Sequence, residues 1–155
     1  TSFFAYAYDM DGDGKKDIWT NEADVFGSIG NYLKRHTWHE NQTWGREIKL
    51  PSDMAARQAL VDLTHEPNPP RSCKRALSAH SKKYSLTQWK EMGVRNLDDS
   101  DIPEAIGAGI EATLLLPGGI DGPAYLTYQN FRTILRYNCS NHYALGVSLL
   151  SDQLK

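Results

Sequence analysis

The chain has 155 residues, 40% of them hydrophobic and 23% charged, with a formal net charge of -2 at pH 7. This is the composition of an ordinary globular protein, and the length suits one domain or part of a larger one. A protein that binds nucleic acid or a membrane surface usually carries a clearly positive charge, which this chain does not have. No apolar run approaches the ~20 residues of a membrane helix. The chain begins with Thr1 and carries no signal peptide, so we expect a processed form or a fragment.

An acidic, glycine-rich loop lies near the start of the chain. Asp9, Asp11 and Asp13 alternate, so one tight loop can direct three carboxylates to one point. Gly14 stands at the sixth position, where the chain must turn sharply, and Lys15 can then offer its backbone carbonyl. Hard oxygen ligands in this order match the opening of an EF-hand loop and favour Ca²⁺.

The loop departs from the EF-hand pattern at its end. Thr20 stands at the twelfth position, where a bidentate Glu belongs, so the loop must be longer than the standard one. Asp24 is the favoured closing ligand, because it would also cap the helix predicted for residues 25–36, and Glu22 is the alternative. The other interpretations are a solvated acidic turn and a dockerin-type or propeller-type loop, which would need repeats. Crowded carboxylates repel one another unless a cation lies among them, which favours a metal.

The three zones of the chain predict an α+β fold. Residues 1–44 hold the loop and its helix, residues 45–128 a mostly antiparallel β insertion with one helix, and residues 129–155 further helices. Three short runs in the insertion have the composition of strands: residues 47–50, 112–116 and 124–128. The one helix of the insertion spans residues 86–92 and is capped by Ser85, and residues 67–70 form a loop.

The last zone predicts two helices. Asn130 is expected to cap the first, and Ser140 or Asn141 the second. Large apolar residues recur at helical spacing in the second helix, and others lie off that stripe, so we expect cover on more than one side. The stripe consists of Tyr143, Val147, Leu150 and Leu154. The chain offers few partners for such surfaces, which indicates a piece of a larger helical core.

The two cysteines, Cys73 and Cys139, lie too far apart in the chain for a thiol–metal motif. They could form one disulfide in an oxidising compartment, or both could be buried thiols. Sequence alone does not show that they meet in space, and we predict that they are unpaired.

Tyrosine and asparagine side chains gather at two places, which suggests a sugar site. Tyr32 lies on the predicted helix after the loop, and Tyr137, Asn138 and Tyr143 join the last two helices. Aromatic rings cover the apolar faces of sugars, and amides bond their hydroxyl and acetamido groups. From spacing alone, a helix–helix corner with the tyrosines in the core and Asn138 at a cap is the favoured interpretation.

Two parts of the chain resemble the lytic murein transglycosylase B family. The sequence Asp-Met-Asp-Gly-Asp-Gly-Lys-Lys-Asp-Ile-Trp at 9–19, with Ser-Ile-Gly-Asn-Tyr at 28–32, is similar to the region that follows the active-site helix in that family. Residues 122–131, 135–138 and 140–144 are similar to its end. The resemblance implies a helical lysozyme-like core portion that carries the EF-hand-like loop and a small antiparallel β insertion.

The resemblance also implies a function. The family cleaves the β-1,4 bond between N-acetylmuramic acid and N-acetylglucosamine of peptidoglycan and leaves a 1,6-anhydromuramoyl end, with one Glu as acid and then base. That Glu lies upstream of the calcium loop, so this chain is expected to hold no catalytic residue and to be inactive alone. None of its glutamates matches the missing position: Glu40, Glu47, Glu66, Glu91, Glu104 and Glu111.

Carried over by position, the resemblance assigns two sets of residues. A structural Ca²⁺ would be held by Asp9, Asp11, Asp13, the Lys15 carbonyl and Asp24, and the glycan groove would be lined by Tyr32, Tyr137, Asn138 and Tyr143. We expect a periplasmic monomer that binds peptidoglycan strands, with an outer-membrane anchor in an absent amino-terminal segment left open. The alternative is a non-catalytic, calcium-dependent glycan-binding or docking module.

Overall fold

The computed structural model describes residues 2–66, 68–103 and 109–154. Two predicted positions therefore lie outside the described residues, Pro67 of the expected loop and Glu104 of the unmatched glutamates. The chain forms two compact units, residues 1–40 and residues 41–155. Within the described residues, no helix is both long enough and apolar enough to cross a bilayer.

The first unit contains two helices joined by the acidic loop. Helix α1 spans Ser2–Tyr6 and helix α2 spans Glu22–Arg35. The N-cap of α2 is Asn21, whose side chain accepts hydrogen bonds from the Ala23 and Asp24 amides. The prediction that Asp24 is the N-cap is therefore wrong: Asp24 lies inside the first turn and is fully buried.

A small antiparallel sheet forms the centre of the second unit. Its strands are β1 (Gly45–Ile48), β2 (Tyr84–Ser85), β3 (Glu111–Leu115) and β4 (Ala124–Thr127), in the order β1-β4-β3-β2. Each neighbouring pair is antiparallel, which confirms the predicted small antiparallel sheet and the mixed α and β composition. Gly45 is required where β1 meets β4, because a Cβ there would lie 2.3 Å from the Leu126 carbonyl oxygen.

Three helices, rather than the predicted one, accompany the sheet. They are α3 (Met54–Asp62), α4 (Lys74–Leu77) and α5 (Leu86–Glu91). The predicted Ser85 cap is confirmed, and the structure adds a capping box, since the side chains of Ser85 and Gln88 bond each other's backbone amides. Helix α3 was missed because it buries little apolar surface, with Leu60 its one buried residue. Helix α4 has only four residues, too few to produce a helical pattern.

The core of the second unit packs between the sheet and these helices. Trp89 is fully buried and donates its indole N–H to the Ala112 carbonyl oxygen at 3.1 Å, which joins α5 to β3. Ile102, Leu114 and Leu126 are fully buried in the same cluster as Trp89. The other largest fully buried apolar side chains are Phe131, Leu115 and Leu135. All residues of β3 and β4 except Glu111 are buried, so both faces of these strands are covered.

The last two helices are α6 (Gln129–Tyr137) and α7 (Asn141–Gln153). The Ser140 cap of α7 is confirmed, but the Asn130 cap of α6 is wrong, because Asn130 is inside the helix and its buried side chain donates to the Gln42 carbonyl. Helix α7 buries Ala144, Leu145 and Ser148. The predicted stripe is instead exposed, and the exposed fractions of its side chains range from 39% at Tyr143 to 80% at Leu154. The described residues therefore do not cover α7 on more than one side, contrary to the prediction.

Candidate functional site

The acidic loop brings three carboxylates together. One oxygen from each of Asp9, Asp11 and Asp13 lies within 4.8 Å of the others. The loop can turn so tightly because Gly12 and Gly14 adopt left-handed backbone angles, with φ of 77° and 86°. Sequence reasoning identified these aspartates from spacing alone, and the structure confirms that they meet.

Hydrogen bonds between each carboxylate and nearby backbone amides shape the loop. Asp9 accepts from the Gly12 amide at 2.7 Å and the Gly14 amide at 2.9 Å. Asp11 accepts from the Asp13 amide at 3.1 Å, and Asp13 from the Lys15 amide at 2.8 Å. These short-range bonds are the turns that Asp side chains make with the amides that follow them. They aim several N–H groups at the acidic cluster and partly offset its negative charge.

Two aspartates of the loop are held in the ionised form by their donors. The Asn21 side chain, at 2.6 Å, and the Asp13 amide lower the pKa of Asp11 below its usual value. The Thr20 hydroxyl and the amides of Trp19 and Thr20 likewise lower the pKa of Asp17. Asp11 is exposed and Asp17 half-buried, and both carboxylates stay negative at neutral pH.

Asp24 has a different position from the other predicted ligands. It is fully buried, and its two oxygens accept from the Met10 and Asp17 amides, each at 2.7 Å. It therefore ties both ends of the loop to the start of α2. The structure does not bring Asp24 into the group formed by Asp9, Asp11 and Asp13. Its role as a metal ligand, like that of the Lys15 carbonyl, stays a prediction.

Tyr32 lies in the first unit within a cluster of rings. Its ring centroid is 4.7 Å from that of Tyr6 and 4.3 Å from that of His36. The His36 Nε2 atom and the Tyr6 hydroxyl are 3.1 Å apart. Sequence reasoning missed Tyr6 and His36 as neighbours of Tyr32, since nothing in their spacing indicates that α1 packs against α2 here.

The other three predicted sugar-binding residues meet in the second unit, at the corner between α6 and α7. We call residues 137–143 the tyrosine corner. The Tyr137 and Tyr143 rings stack, with centroids 6.3 Å apart and planes at 26°, and they are 62% and 39% exposed. Asn138 ends α6 and is exposed. The interpretation of both tyrosines as core residues is therefore wrong, whereas Asn138 does lie at a helix cap.

The two cysteines meet beside the tyrosine corner. Cys73 and Cys139 form a disulfide with Cα atoms 5.4 Å apart, so the prediction that they are unpaired is wrong. They are 66 residues apart in the chain, and only the packing of α4 beside the tyrosine corner brings them together. Spacing carries no signal for such a contact.

His80 is the residue near the tyrosine corner that sequence reasoning missed altogether. It is fully buried, and its ring nitrogens lie 3.0 Å from the Thr113 hydroxyl and 3.0 Å from the Asn141 side-chain oxygen. Burial lowers the pKa of His80 to about 4, with a smaller lowering from Arg132 and an opposing effect of Asn141. The ring is therefore neutral at physiological pH.

The chain is similar to a known family of proteins. The family model described as the transglycosylase SLT domain matches residues 1–152. Membrane-bound lytic murein transglycosylase B of Escherichia coli (strain K12) is 32% identical over 148 residues, which are 95% of this chain and 33% of the relative. The chain thus spans about a third of the length of that curated relative.

Solved structures have the same fold. SltB3 from Pseudomonas aeruginosa in complex with NAG-NAM-pentapeptide aligns with a TM-score of 0.80 and 38% identity, over 98% of this chain and 35% of that one. The Escherichia coli lytic transglycosylase Slt35 in complex with calcium aligns with a TM-score of 0.63 and 28% identity, over 97% of this chain and 40% of that one.

Proposed function

This chain belongs to the transglycosylase SLT domain family, and from that premise we propose that it is the carboxyl-terminal part of a peptidoglycan lytic transglycosylase. The reaction is cleavage of the β-1,4 bond between N-acetylmuramic acid and N-acetylglucosamine, with closure to a 1,6-anhydromuramoyl end. No water is consumed, since the sugar's own hydroxyl attacks. In this proposal the chain supplies one wall of the glycan cleft and the calcium-binding loop.

The observation that carries the proposal is the tyrosine corner. Tyr137 and Tyr143 present stacked, exposed rings, and the Asn138 amide lies on the exposed turn between their helices. Exposed aromatic faces pack against the apolar faces of pyranose rings, and an amide both donates to and accepts from acetamido groups and hydroxyls. These three residues bind and orient the glycan. Tyr32, in the first unit, is proposed separately as a sugar-binding residue.

The catalytic Glu, in this proposal, lies outside the 155 residues. It would act first as acid and then as base, with a pKa raised by its surroundings. Exposed apolar faces support the idea that further protein covers this chain. Phe26 of α2 is 69% exposed, and Leu150 of α7 is 62% exposed. Large apolar side chains in such positions are typical of surfaces that pack against another part of a protein.

A structural Ca²⁺ in the acidic loop is the second part of the proposal. The residues fit the ion, because three carboxylates converge within 4.8 Å and hard oxygen ligands are what Ca²⁺ prefers. Asp9, Asp11 and Asp13 would hold it, with the Lys15 carbonyl and Asp24 as the further assigned ligands. The bound ion would neutralise the repulsion among the aspartates. Asp24, which bonds both ends of the loop, would then keep the loop against the start of α2.

We also infer a periplasmic location and a monomeric state. The Cys73–Cys139 disulfide supports the location, because disulfides persist in the bacterial periplasm and are rare in the cytosol. Peptidoglycan strands are the expected partner, and an outer-membrane anchor outside these residues is compatible with the fold.

The function is tested with the purified chain and cell-wall sacculi. We expect the chain to bind sacculi without releasing anhydromuropeptides, and a longer protein that includes the sequence encoded upstream of Thr1 to release them. Tyr137→Ala with Tyr143→Ala should weaken binding at least about tenfold, since ring–sugar contacts carry affinity. The exposed Trp19, outside the tyrosine corner, provides the matched control Trp19→Ala.

Two outcomes would contradict this account. Release of anhydromuropeptides by residues 1–155 alone would mean that the acid lies within the chain. A longer protein that binds sacculi but cleaves nothing would favour the non-catalytic, calcium-dependent module.

A further inference from the structure

The tyrosine corner is a short and mostly exposed turn. Only residues 138–140 connect α6 to α7. Its local bonds include the Asn138 amide to the Ile134 carbonyl at 3.1 Å, the Ser140 amide to the Asn138 carbonyl at 2.8 Å, the Tyr143 amide to the Ser140 hydroxyl at 3.3 Å and the Ala144 amide to the Ser140 carbonyl at 2.9 Å. An exposed turn is expected to open locally more readily than a buried sheet, so attachments to the buried core would restrict its motion.

The first long-range attachment is covalent. Cys139 is joined to Cys73, which is buried immediately before α4. The bond links the exposed turn to a segment that lies 66 residues earlier in the chain. Asn138 is the neighbour of Cys139, so the disulfide acts directly beside one of the proposed sugar-binding side chains.

The second attachment is a chain of hydrogen bonds through Asn141, the first residue of α7. Its amide nitrogen donates to the Ala76 carbonyl at 2.9 Å, which leaves its oxygen to accept from His80 Nε2 at 3.0 Å. His80 Nε2 must then carry the proton, and Nδ1 accepts from the Thr113 hydroxyl at 3.0 Å. The Thr127 hydroxyl, 2.9 Å from that of Thr113, continues the chain into β4.

Both attachments lead to the same rigid base. Cys73, Ala76 and His80 belong to residues 73–81, which we call the anchor segment. It is joined to β3 by the Ser81 amide, which donates to the Leu114 carbonyl at 3.0 Å, and by the Ser81 hydroxyl, which accepts from the Leu114 amide at 2.8 Å. The base of the tyrosine corner is therefore the fully buried centre of the sheet.

We propose that the anchor segment positions the tyrosine corner for glycan binding, through the Cys73–Cys139 disulfide and the hydrogen bond from His80 to Asn141. Tyr137, Asn138 and Tyr143 each lie within two residues of an attached position. Holding them in one arrangement before the glycan arrives removes the entropy loss that ordering them on binding would require. What the corner binds rests on the proposed function, whereas the positioning itself does not.

The first test compares glycan affinity and hydrogen exchange. The probe is a soluble NAG–NAM tetrasaccharide, with affinity measured by calorimetry, and exchange is followed at the amides of residues 138–143. Replacement of both cysteines, Cys73→Ser with Cys139→Ser, should weaken binding about tenfold, because several side chains must then be ordered on binding. Exchange at the tyrosine corner should accelerate, while exchange in β3 and β4 should stay slow.

The second test uses the buried histidine, in case the double cysteine variant does not fold. His80→Leu keeps an apolar side chain of similar size but removes the bond to Asn141, so it should weaken binding and accelerate exchange at the tyrosine corner. His80→Gln places an amide N–H close to the position of the ring Nε2–H and should restore both. His65→Gln, at an exposed position outside the network, is the matched control.

The outcomes separate the two proposals. Unchanged exchange and affinity in the cysteine variant, or in His80→Leu, would overturn the positioning role. A generalised destabilisation that His80→Gln does not relieve would also overturn it, because a merely structural residue behaves in that way. If the native chain does not bind the tetrasaccharide, the proposed function fails, and the exchange at residues 138–143 alone decides whether the anchor segment holds the tyrosine corner.

Discussion

The acidic loop and the tyrosine corner differ in how far along the chain their contacts reach. In the loop, Asp9 bonds an amide five residues away, Asn21 bonds Asp11 ten residues away, and Asp24 bonds Met10 fourteen residues away. At the tyrosine corner the attachments of Asn141 and Cys139 span 61, 65 and 66 residues. One candidate site is therefore shaped by its own sequence, and the other by the folding of the whole second unit.

This difference has physical consequences that can be measured. A locally shaped site should respond to changes in its own charges and ligands, and it should keep its shape when distant contacts are removed. A site held by long-range contacts should respond to any change that loosens the base to which it is attached.

Removal of the disulfide should have the largest effect on stability. For a closed loop of 66 residues, loss of the cross-link should lower the free energy of unfolding by about 4 kcal/mol, since the unfolded chain gains freedom. Urea unfolding of Cys73→Ser with Cys139→Ser measures it, and the native protein with dithiothreitol should behave alike. Calcium affinity should not change. A loss below about 1 kcal/mol would contradict the expected contribution of this cross-link to stability.

Acid should destabilise the second unit through His80. The pKa of this ring is about 4 in the folded protein and about 6.5 in an unfolded chain. Between pH 6.5 and pH 4 the unfolded state therefore binds a proton that the folded state does not bind. The free energy of unfolding falls as the pH decreases through this range, by about 3 kcal/mol in total. Well above pH 6.5 the ring is neutral in both states and contributes no pH dependence.

Unfolding free energies measured from pH 7 to pH 4 test this expectation. The difference between the native protein and His80→Gln should grow in favour of the variant as the pH falls, since Gln does not titrate. Arg132 is the charged group that acts on His80 and does not change its charge in this window. Exposed His65 gives the control His65→Gln, which should retain the native pH dependence. Parallel curves for the native protein and His80→Gln would refute the buried neutral ring.

Calcium should stabilise the loop region by a somewhat smaller amount. A ligand at ~100 times its dissociation constant that binds only the folded state adds about 2.7 kcal/mol. Melting curves with Ca²⁺ and with EGTA measure the effect, which Asp11→Asn should reduce strongly. Asp98→Asn is a matched control, because Asp98 is also exposed and its pKa is also lowered by hydrogen bonds, here from Ser100. Identical curves with Ca²⁺ and EGTA would contradict the metal site.

Substitution of one helix N-cap in each region should have the smallest effect on stability and allows a direct comparison of the two regions. Asn21→Ala in the loop region and Ser140→Ala at the tyrosine corner should each lower the free energy of unfolding by about 1 kcal/mol, the usual value of an N-cap. Asn21 also bonds Asp11, so its removal should in addition weaken calcium binding. Ser140→Ala should leave calcium binding unchanged. Equal calcium affinities in the two variants would mean that Asn21 does not shape the loop.

Features whose causes lie within a few residues can be predicted from the amino-acid order alone. The alternating aspartates converge because Gly12 and Gly14 allow the turn and the next amides are within reach of each carboxylate. The capping box of α5 likewise needs only Ser85 and Gln88. Strands β3 and β4 could be predicted because both are rich in apolar residues and a glycine-rich connection separates them. Chain order is sufficient for features of this kind.

Contacts between distant segments depend on how the whole chain packs and could not be predicted from spacing. The sequence predicts Asp24 as a helix cap or a metal ligand. In the folded chain it is buried, and both of its carboxylate oxygens accept hydrogen bonds from loop amides. Cys73 and Cys139 pair, and His80 is buried against Thr113 and Asn141, because the second unit folds α4 and the residues after it between the sheet and the start of α7. Many chain paths could join residues more than 60 positions apart, and which one occurs depends on the packing of the whole core.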